Sequence, residues 1–528
     1  MITKQRLTGQ LYENYNAFRE SLTDIEKTQQ NLLISIIRKN ESTEVGCRYR
    51  FAQIREAAQY RQAVPVRSYN EYAPDLEEAQ WKPGVLTRDP IFYWAKTSGS
   101  SGTAKLIPHT RESLDVWFCA AMRNLIGYME SGGGLLLPPD GKVLSTAGPR
   151  RVGEINGIPV GYISGIMSSY HPRHKDINPV PDSVMGLDNY DRRMFETAKY
   201  ALKHNIVGIG GITSFSLNLL NYIKYRSGSL FSCLPEYRET VRAAMDGDGN
   251  IDLLKLWPNF RVMLSTGVLY DTFIPQIRQL LGDGIWVSDF YSGTEGAYGC
   301  VYSEQDPGLT LNADLYYFEF RDLESGSVCP LADVKRDVPY EMIITGSNGL
   351  YRYTTGDVVR FVLANPPQVK VVGRTVSMVN ITGEKLNEAE IAQAVNQAAA
   401  RLNLKAGPHL FFGWMDQDCF VHHCLGIEMG EALPQETMTG FMDVFAAALK
   451  EIRIAYRNYS QTIIKPPHYV QFRPGTFAAL ERQRSEQTGI TGHIKVKAVV
   501  SPQFFRDHID KSWIVNQDMP QDWEQTVQ

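Results

Sequence analysis

Hydrophobic positions in the first 300 residues follow two spacings. Near the N-terminus, Leu32, Leu33, Ile36 and Ile37 recur at helical spacing, which predicts helices over residues 1 to about 60. Further along, short apolar runs alternate with stretches of helical periodicity. The runs predict strands at 91–95, 143–145, 206–209, 261–264 and 285–290, and the stretches predict helices at 111–129, from Thr213 onward and at 273–281. This alternation favours a largely parallel sheet covered by helices.

The pattern changes after about residue 309. Apolar runs at 315–320, 340–344 and 358–362 have no helices between them, and Asn348-Gly349 is a strong hairpin signal. These runs predict an antiparallel, barrel-like subdomain. Beyond residue 375 the pattern predicts a helix from Asn387, which can cap it with Glu390 at the third position, to about Leu402. Strands at 409–414 and 419–427 and an amphipathic helix at 436–459 follow.

We therefore predict an α/β fold with two domains. A chain of 528 residues is too long for one ordinary hydrophobic core. The large N-terminal domain, residues 1–375, contains the α/β region and the antiparallel subdomain. The small C-terminal α+β domain covers residues 376–528, a plausible size for one domain.

Composition and charge narrow the class of protein. A hydrophobic content of 43% and a charged content of 21% are those of a soluble globular protein. The net charge of -4, with basic residues spread along the chain, gives no footprint for nucleic acid or for a membrane surface. No apolar segment approaches the length of a membrane span, and the N-terminus lacks a signal-peptide core. Seven cysteines without regular spacing argue against a disulfide framework, so we expect a cytoplasmic protein.

One predicted strand mixes residue types that can bind metals. It contains Cys419-Phe-Val-His422-His423-Cys424, and strand side chains alternate between the two faces of a sheet. His422 and Cys424 would share one face, and Cys419 and His423 would share the other. This arrangement fits a position in a sheet better than a tetrahedral metal site.

A run of seven small residues, Thr97-Ser-Gly-Ser-Ser-Gly-Thr103, follows the apolar run at 91–95 and precedes Lys105. Glycines let the backbone approach a ligand, consecutive N–H groups and hydroxyls attract an anion, and the lysine adds a positive charge. This chemistry suits the phosphates of a nucleotide. A flexible connector is the alternative. The usual mononucleotide P-loop matches poorly, because Gly99 and Gly102 are too close and no Gly-Lys-Ser/Thr follows.

Three later stretches also carry ligand chemistry. Tyr291-Ser-Gly-Thr-Glu-Gly296 follows a predicted buried strand, and it offers a flat ring for a purine, a hydroxyl donor and a hard carboxylate ligand for Mg²⁺. Leu350-Tyr-Arg-Tyr-Thr-Thr-Gly-Asp357 ends in a carboxylate that can accept both hydroxyls of a ribose. Val372-Gly-Arg374 and Asn380-Ile-Thr-Gly-Glu-Lys-Leu386 span the predicted domain boundary. Taken singly, each has a structural alternative: a core tyrosine, a turn carboxylate or a solvated surface arginine.

The order of these motifs resembles the adenylate-forming superfamily of luciferases and acyl ligases. Further motifs narrow the resemblance to the Gretchen Hagen family of acyl-acid amido synthetases, whose plant members conjugate auxin or jasmonate to amino acids. These motifs are Tyr316-Tyr-Phe-Glu-Phe320, G-L-Y-R-Y-x-x-G-D-V-V-R, G-E-K-L-N-E, Ala448-Leu-Lys-x-x-x-x-x-Tyr456-Arg457 and Gly475-Thr-Phe-x-x-Leu480. The resemblance extends from about residue 90 to residue 500.

The resemblance implies ATP and Mg²⁺ as cofactors and assigns roles to individual residues. Tyr291 would pack near adenine, Thr294 and Glu295 would hold the α-phosphate and Mg²⁺, Asp357 would bind the ribose, and Arg374 would lie near the nucleotide at a hinge. The phosphates would be wrapped by the following residues of the small-residue run: Ser98, Gly99, Ser100, Ser101, Gly102 and Thr103. This run is shorter than the usual signature of the family.

The family's catalytic lysine corresponds to Lys495, in the segment Gly492-His-Ile-Lys-Val-Lys-Ala498. Only the lysine matches the Gln-Tyr-Lys-x-Pro-Arg pattern of the family. Lys497 is a second candidate, because on a strand it would face the same side as Lys495. The resemblance further implies that the small domain rotates between two half-reactions, with 373–383 as the candidate hinge.

The implied activity is adenylation of a carboxylic acid followed by transfer of the acyl group to an amine, which gives an amide. Three alternatives remain open from the sequence: transfer to a thiol of coenzyme A or a carrier protein, an ATP-binding protein without ligase activity, and a phosphotransfer kinase. Residues that could line an acyl pocket, although most could equally be core, are Tyr162, Met167, Tyr170, Phe215 and Leu219.

Overall fold

The chain divides into two compact units. One unit extends through Thr355 and includes Val359–Lys370, and the other comprises Gly356–Val358, Val371–Ile490 and Ile494–Gln528. The predicted domain roles, and the boundary after residue 375, stay predictions. The computed structural model describes residues 9–97, 105–128, 140–170, 177–187, 190–232, 234–266, 274–303, 306–374, 378–379, 381, 384, 386–416, 420–453, 456–457, 460–461, 464–488, 496, 498–520 and 523.

Helices and strands occur in the order that the hydrophobic pattern predicts. The described α-helices are α1 Gly9–Ser21, α2 Ile25–Lys39, α3 Glu44–Arg48, α4 Ala57–Ala63, α5 Tyr69–Ala79, α6 Arg111–Tyr128, α7 Ile163–Tyr170, α8 Asp182–Met185, α9 Tyr190–Leu202, α10 Thr213–Phe231, α11 Pro235–Ala244, α12 Leu253–Leu256, α13 Ile274–Leu281, α14 Glu388–Arg401, α15 Gln435–Ile452, α16 Thr476–Thr488 and α17 Pro502–His508. The described strands are β1 Tyr93–Lys96, β2 Leu106–His109, β3 Lys142–Thr146, β4 Gly153–Ile155, β5 Ile158–Gly161, β6 Ile206–Ile212, β7 Val262–Thr266, β8 Trp286–Ser292, β9 Ala297–Cys300, β10 Leu309–Leu311, β11 Tyr317–Asp322, β12 Val328–Pro330, β13 Pro339–Thr345, β14 Tyr353–Leu363, β15 Gln368–Arg374, β16 Met378–Val379, β17 Leu386–Asn387, β18 Ala406–Met415, β19 Val421–Met429, β20 His468–Phe472 and β21 Ile514–Gln517.

An 11-stranded sheet with the order β12-β11-β13-β14-β15-β10-β9-β8-β7-β6-β3 organises the larger unit. Strands β3, β6, β7 and β8 pair in parallel, whereas β9 pairs antiparallel with both β8 and β10. Strand β11 is likewise antiparallel to β12 and β13. The predicted α/β class and the antiparallel region are confirmed. The antiparallel strands extend the parallel ones within one sheet.

Both faces of the parallel strands are buried, as expected when helices cover a parallel sheet on both sides. Along β7, Met263 belongs to one hydrophobic cluster, and Val262 belongs to another that also includes Leu264 and Leu125 of α6. Close strand packing explains the glycines of β6, since a Cβ on Gly208 would approach the Val262 carbonyl oxygen to 2.8 Å.

A second sheet of four strands, in the order β2-β1-β5-β4, carries the hairpin that contains the small-residue run. Strand β1 pairs antiparallel with β2, with Lys96 opposite Leu106 and Tyr93 opposite His109. Helix α6 begins two residues after β2, at Arg111, with Trp117 and Ala120 buried. The hairpin therefore leads directly from the predicted phosphate loop into α6.

The second unit contains a sheet of order β18-β19-β20-β21 with hydrophobic cores on both faces. Asn387 caps α14 and forms a capping box with Glu390, as predicted. Along β19, His423 stacks on Phe411 in one core, whereas Cys424 belongs to the core on the opposite face. The predicted alternation of faces along this strand is confirmed for His423 and Cys424.

The long helix predicted at 436–459 was too long. Helix α15 ends at Ile452, because Arg453 takes an extended backbone conformation with φ -124° and ψ 108°. The Arg453 guanidinium lies 3.5 Å from the Glu390 carboxylate of α14. The chain is helical again at Tyr456 and Arg457, and Tyr456 is buried in the same core, which accounts for its apolar spacing beyond the end of α15.

None of the helices in the described part of the chain combines the length and the apolar character that crossing a membrane requires.

Candidate active site

Hydroxyl side chains follow the carboxyl ends of the parallel strands. The Thr146 hydroxyl lies 2.9 Å from that of Ser216, and the Thr266 hydroxyl lies 3.0 Å from that of Ser292. Ligands of open α/β sheets bind beyond the carboxyl ends of strands, so this edge is the expected place for chemistry. We call this set the hydroxyl row; its members are Thr146, Thr213, Ser216, Ser265, Thr266 and Ser292.

The small-residue run, Ser98, Gly99, Ser100, Ser101, Gly102 and Thr103, lies outside the described residues, and its phosphate role stays a prediction. The residues on either side of it are paired with each other. The Thr97 N–H donates to the Lys105 carbonyl at 2.9 Å, and the Lys105 N–H donates to the Thr97 hydroxyl at 3.1 Å. The Lys105 ammonium lies 5.1 Å from the centre of the Tyr69 ring, a cation–π distance. The run therefore connects the two strands of a hairpin.

A tight turn between β8 and β9 presents Thr294 and Glu295. The Gly293 N–H donates to the Gly296 carbonyl at 2.8 Å, so Thr294 and Glu295 lie at the tip of the turn. Gly296 packs closely against two tyrosine rings, because a Cβ there would come within 2.8 Å of Tyr298 and 2.7 Å of Tyr316. A side chain larger than hydrogen is thus excluded from this end of the turn. We call residues 293–296 the Thr294–Glu295 turn.

His109 holds one peptide of this turn from the end of β2. Its Nε2 lies 2.9 Å from the Thr294 carbonyl, and its Nδ1 lies 3.1 Å from the Ser113 hydroxyl. Burial lowers the pKa of His109 to about 4. The ring is therefore neutral near pH 7, with the hydrogen on Nε2, since a carbonyl can only accept. His109 links the hairpin of the small-residue run to the Thr294–Glu295 turn.

Glu295 is held by two residues from the antiparallel half of the sheet. The Tyr353 hydroxyl donates to carboxylate oxygen Oε1 at 3.0 Å, and the Asn348 amide donates to the Glu295 carbonyl at 3.1 Å. The second carboxylate oxygen, Oε2, occupies space that a Cβ on Gly293 would fill, at 2.9 Å. A carboxylate accommodated in this way has the oxygen chemistry that Mg²⁺ prefers, so Glu295 fits a metal-binding role.

Within the Leu350–Asp357 motif, the side chains of Tyr351 and Arg352 hold the fold, and that of Tyr353 reaches the Thr294–Glu295 turn. Arg352 is buried and forms a bidentate ion pair with Glu319, at 2.8 and 2.9 Å. Its remaining guanidinium nitrogen donates to the carbonyls of Arg61 and Val64. The Tyr351 hydroxyl donates to the Leu86 carbonyl. Among these three consecutive side chains, Tyr353 is the one that contacts Glu295.

The other predicted site residues have different surroundings. Tyr291 is buried near the end of β8, with its hydroxyl 3.8 Å from the Met342 sulfur and its ring edge-on to Tyr298. Asp357 is half-buried in β14, directly after Gly356, whose φ of 74° requires a residue without Cβ. Arg374 ends β15. Lys495 and Lys497 lie outside the described residues. The roles of all these residues stay predictions.

The suggested acyl-pocket residues are mostly committed to packing. Leu219 is fully buried in the core of the larger unit, and Tyr162 is 3% exposed. The Tyr170 hydroxyl donates to the Asp115 carboxylate of α6 at 2.7 Å. The side chain of Phe215 lies outside the described residues. Met167 is partly buried beside the cluster that contains Trp117.

Sequence reasoning missed His109, Asn348 and the hydroxyl row. A single histidine or asparagine carries no spacing signal, because its partner is 185 or 53 residues away in the chain. The hydroxyl row did have a signal, since a serine or threonine closes or follows four consecutive apolar strand runs. The Thr294–Glu295 pair and Tyr353 lay within motifs that the sequence identified.

Comparisons with known proteins show the family and the fold that the chain shares. The sequence model of the GH3 family N-terminal domain matches residues 14–226, and that of the GH3 family central domain matches residues 309–374. The 4-substituted benzoates-glutamate ligase GH3.12 of Arabidopsis thaliana is 24% identical, over 89% of this chain and 90% of that protein. The solved structure of GH3.15 acyl acid amido synthetase has a TM-score of 0.77 at 20% identity, over 95% of this chain and 96% of that chain. A 2-hydroxyisobutyryl-CoA ligase has a TM-score of 0.61 at 14% identity, covering 91% and 90% of the two chains.

The fold is that of the adenylate-forming ligases. Within that superfamily the chain belongs to the GH3 family, because the two matched domains together cover just over half of it. The resemblance predicted from the order of motifs is thereby confirmed.

Proposed function

We propose that this chain is an ATP-dependent, AMP-forming ligase that adenylates a carboxylic acid and transfers the acyl group to an amine to give an amide. The observation that supports this most is the Thr294–Glu295 turn, held from three sides beyond the carboxyl edge of the sheet of a GH3-family fold. The similar proteins include a benzoates-glutamate ligase and an acyl acid amido synthetase. An organic acid as acyl donor and an amino acid as acceptor are accordingly the proposed substrate classes.

The chemistry explains why ATP is required. A carboxylate resists attack by an amine, because oxide would have to leave. In the first half-reaction, a carboxylate oxygen attacks the α-phosphorus of ATP and pyrophosphate leaves. The product is an acyl-adenylate, whose leaving group is AMP. Negative charge grows on the phosphate oxygens during this attack, so the protein contributes positioning and electrostatic stabilisation.

The residues of the site fit these tasks. In this proposal the small-residue run and the Thr294 hydroxyl donate hydrogen bonds to the phosphates, and Asp357 accepts hydrogen bonds from the ribose hydroxyls. Tyr291 and Arg374 contact the nucleotide. Glu295 would hold Mg²⁺, which when bound supplies positive charge to the phosphate oxygens. Lys495 would stabilise the charge that develops on the α-phosphate, with Lys497 as the alternative.

The second half-reaction needs a neutral amine. Its nitrogen attacks the acyl carbon, the bond from that carbon to the bridging oxygen breaks, and AMP leaves with the oxygen. The amine loses a proton in forming the amide. A thiol would follow the same path to a thioester, so the acceptor is decided by experiment.

An exchange of ATP with labelled pyrophosphate tests the proposal. Each acid of a broad panel is supplied in turn, and amino acids or coenzyme A are then added with the most active acid. We expect exchange that depends on the acid, and an amide with an amino acid. ADP formation, or no exchange with any acid, would contradict the proposal, and a thioester without amide would replace the amine by a thiol.

The same assay decides between the two lysines through a matched pair of variants. Lys495→Ala is expected to lower the exchange rate by about 10²- to 10³-fold, the loss typical when a group that stabilises transition-state charge is removed. Lys497→Ala is expected to retain most of the rate. The reverse result would transfer the role to Lys497.

A further inference from the structure

We infer that Tyr353 is a positioning residue for the reaction: its hydroxyl orients the Glu295 carboxylate towards the metal-bound phosphates of ATP. The inference rests on the proposed function and adds a residue to which the motif analysis gave no role. It follows from one contact, the donation from the Tyr353 hydroxyl to Glu295 Oε1 at 3.0 Å, and from the way both residues are held.

Tyr353 is itself held rigidly. Its side chain is 2% exposed, and its ring packs edge-on against Tyr72 with centroids 5.8 Å apart. The backbone on either side is bound to one residue of another segment. The Arg67 N–H donates to the Arg352 carbonyl at 3.0 Å, and the Thr354 N–H donates to the Arg67 carbonyl at 2.9 Å. The hydroxyl therefore has a fixed position from which to donate.

Glu295 needs such a donor. Its backbone is fixed, since Asn348 holds its own carbonyl and His109 holds the carbonyl of the preceding residue. The carboxylate, however, extends from the tip of a turn through three rotatable bonds, and ordering a long side chain costs entropy. A hydrogen bond to Oε1 orders the side chain before the ligand binds, so less conformational entropy is lost on binding. Oε2 remains in the space that glycine leaves open at Gly293.

The hydrogen bond between the Tyr353 hydroxyl and Glu295 Oε1 can therefore be removed without changing the backbone of the turn. Removing the Tyr353 hydroxyl leaves both backbone anchors in place. Only the orientation of the carboxylate should be lost, and with it the contribution of the metal to nucleotide binding. Without metal, the Glu295 carboxylate has no favourable contact with the phosphates that could be lost. Removing the hydroxyl should therefore not weaken the binding of metal-free ATP.

Tyr351 offers a matched control. It lies two residues away in the same motif and is fully buried, and its hydroxyl donates to the Leu86 carbonyl at 2.8 Å. Tyr351→Phe removes the same atom with a comparable loss of a buried hydrogen bond. Any effect shared by both variants is an effect on stability.

The test measures ATP affinity by calorimetry, with Mg²⁺ and with a chelator, for the wild type, Tyr353→Phe and Tyr351→Phe. We expect Mg²⁺ to raise the ATP affinity of Tyr353→Phe about tenfold less than it raises that of the wild type. This loss is on the scale of a hydrogen bond to a charged group. The affinity for metal-free ATP should be unchanged. Tyr351→Phe should keep the full gain. In a Glu295→Gln background, Tyr353→Phe should change the gain no further.

A Tyr353→Phe variant that keeps the full Mg²⁺-dependent gain would overturn the inference. So would a loss of the same size in the Glu295→Gln background, because the hydroxyl would then act elsewhere. Failure of the proposed function looks different: the wild type itself would show no acid-dependent exchange of pyrophosphate. If Tyr353→Phe loses its cooperative thermal transition, Tyr353→Trp, which removes the hydroxyl but retains an aromatic ring, takes its place with the same expectations.

Discussion

His109 illustrates how one buried side chain can join two functional segments. It lies on β2, just beyond the small-residue run, and its Nε2–H donates to the Thr294 carbonyl. Nδ1 faces the Ser113 hydroxyl, which can donate to a neutral ring or accept from a protonated one, so both ring nitrogens have partners in either state. Burial, which disfavours the charged ring, is what lowers the pKa to about 4.

This pKa predicts a dependence of stability on acid. The unfolded chain binds a proton at His109 near pH 6.5, whereas the folded chain does so only near pH 4. The neutral ring therefore contributes its full stabilisation above pH 6.5. The free energy of unfolding decreases by up to about 3 kcal/mol as the pH falls towards 4. We expect His109→Gln, whose amide can still donate to the Thr294 carbonyl, to unfold in urea with a shallower pH dependence.

The control for this prediction is His409, another buried histidine whose pKa is also lowered to about 4 by burial. It belongs to the other unit and contributes its own slope to both proteins, so the difference between wild type and variant isolates His109. Identical pH dependences for the wild type and His109→Gln would contradict the assignment.

Some residues of the candidate site could be identified from sequence motifs, and others could not. Glu295 and Thr294 were identifiable because a carboxylate and a hydroxyl follow a buried strand within a short signature. Tyr353 was inside a recognised motif, but its partner Glu295 is 58 residues away, and sequence spacing does not give that pairing. His109 had no signal, and Asn348 was visible only as part of a hairpin turn, not as a partner of Glu295. Positioning residues depend on tertiary contacts, whereas ligand-binding residues have chemistry that is visible in the chain.

Among strands and helices, the ion pair between Arg352 and Glu319 organises the antiparallel half of the sheet. Arg352 takes a positive φ of 52° just before β14, and Glu319 lies in the middle of β11. The guanidinium joins these two elements and also satisfies carbonyls at the end of α4 and just after it. It thereby fixes the backbone position of the neighbouring Tyr353.

Removing one partner of this pair should be costly. We expect Arg352→Met to lower the free energy of unfolding by about 3–5 kcal/mol, because Glu319 would be left buried without a counter-charge. Chemical denaturation measures this. Arg321 and Glu341 form a comparison pair on β11 and β13, 2.6 Å apart, in which the Arg321 side chain is 35% exposed and that of Glu341 is 8% exposed. We expect Arg321→Met to cost less, about 1–3 kcal/mol, because water can reach the vacated position beside Glu341. Equal losses in the two variants would show that burial does not decide the strength of these pairs.

Element types were predictable to a greater extent than element ends. The alternation of apolar runs with helical periodicity gave β3, β6, β7 and β8 and the helices α10 and α13 that follow β6 and β7. The capping box placed the start of α14, since local hydrogen bonds determine it. The end of α15 was missed, because the chain is helical again at Tyr456 and Arg457 after the extended Arg453, and Tyr456 keeps the apolar spacing of the helix. Periodicity reports burial, and it does not register a break in the backbone between two helical segments.

For the chain as a whole, the sheet order explains where the Thr294–Glu295 turn lies. Parallel and antiparallel strands meet at β8 and β9, within a single 11-stranded sheet. The Thr294–Glu295 turn connects those two strands. On the parallel side, Ser292, the residue before the turn, is paired with Thr266 of the hydroxyl row, and on the antiparallel side Asn348 and Tyr353 contact the turn itself. Sequence patterns predicted the two halves separately but not that the site lies where they join.

Amide formation through an acyl-adenylate transfers one carboxylate oxygen of the substrate to AMP. The most direct measurement uses the acid that supports exchange best, with both carboxylate oxygens replaced by ¹⁸O, together with ATP and an amine acceptor. Mass spectrometry of the products is expected to find one ¹⁸O in AMP, one in the amide and none in pyrophosphate. Label in inorganic phosphate with ADP as the nucleotide product, or unlabelled AMP, would contradict the account.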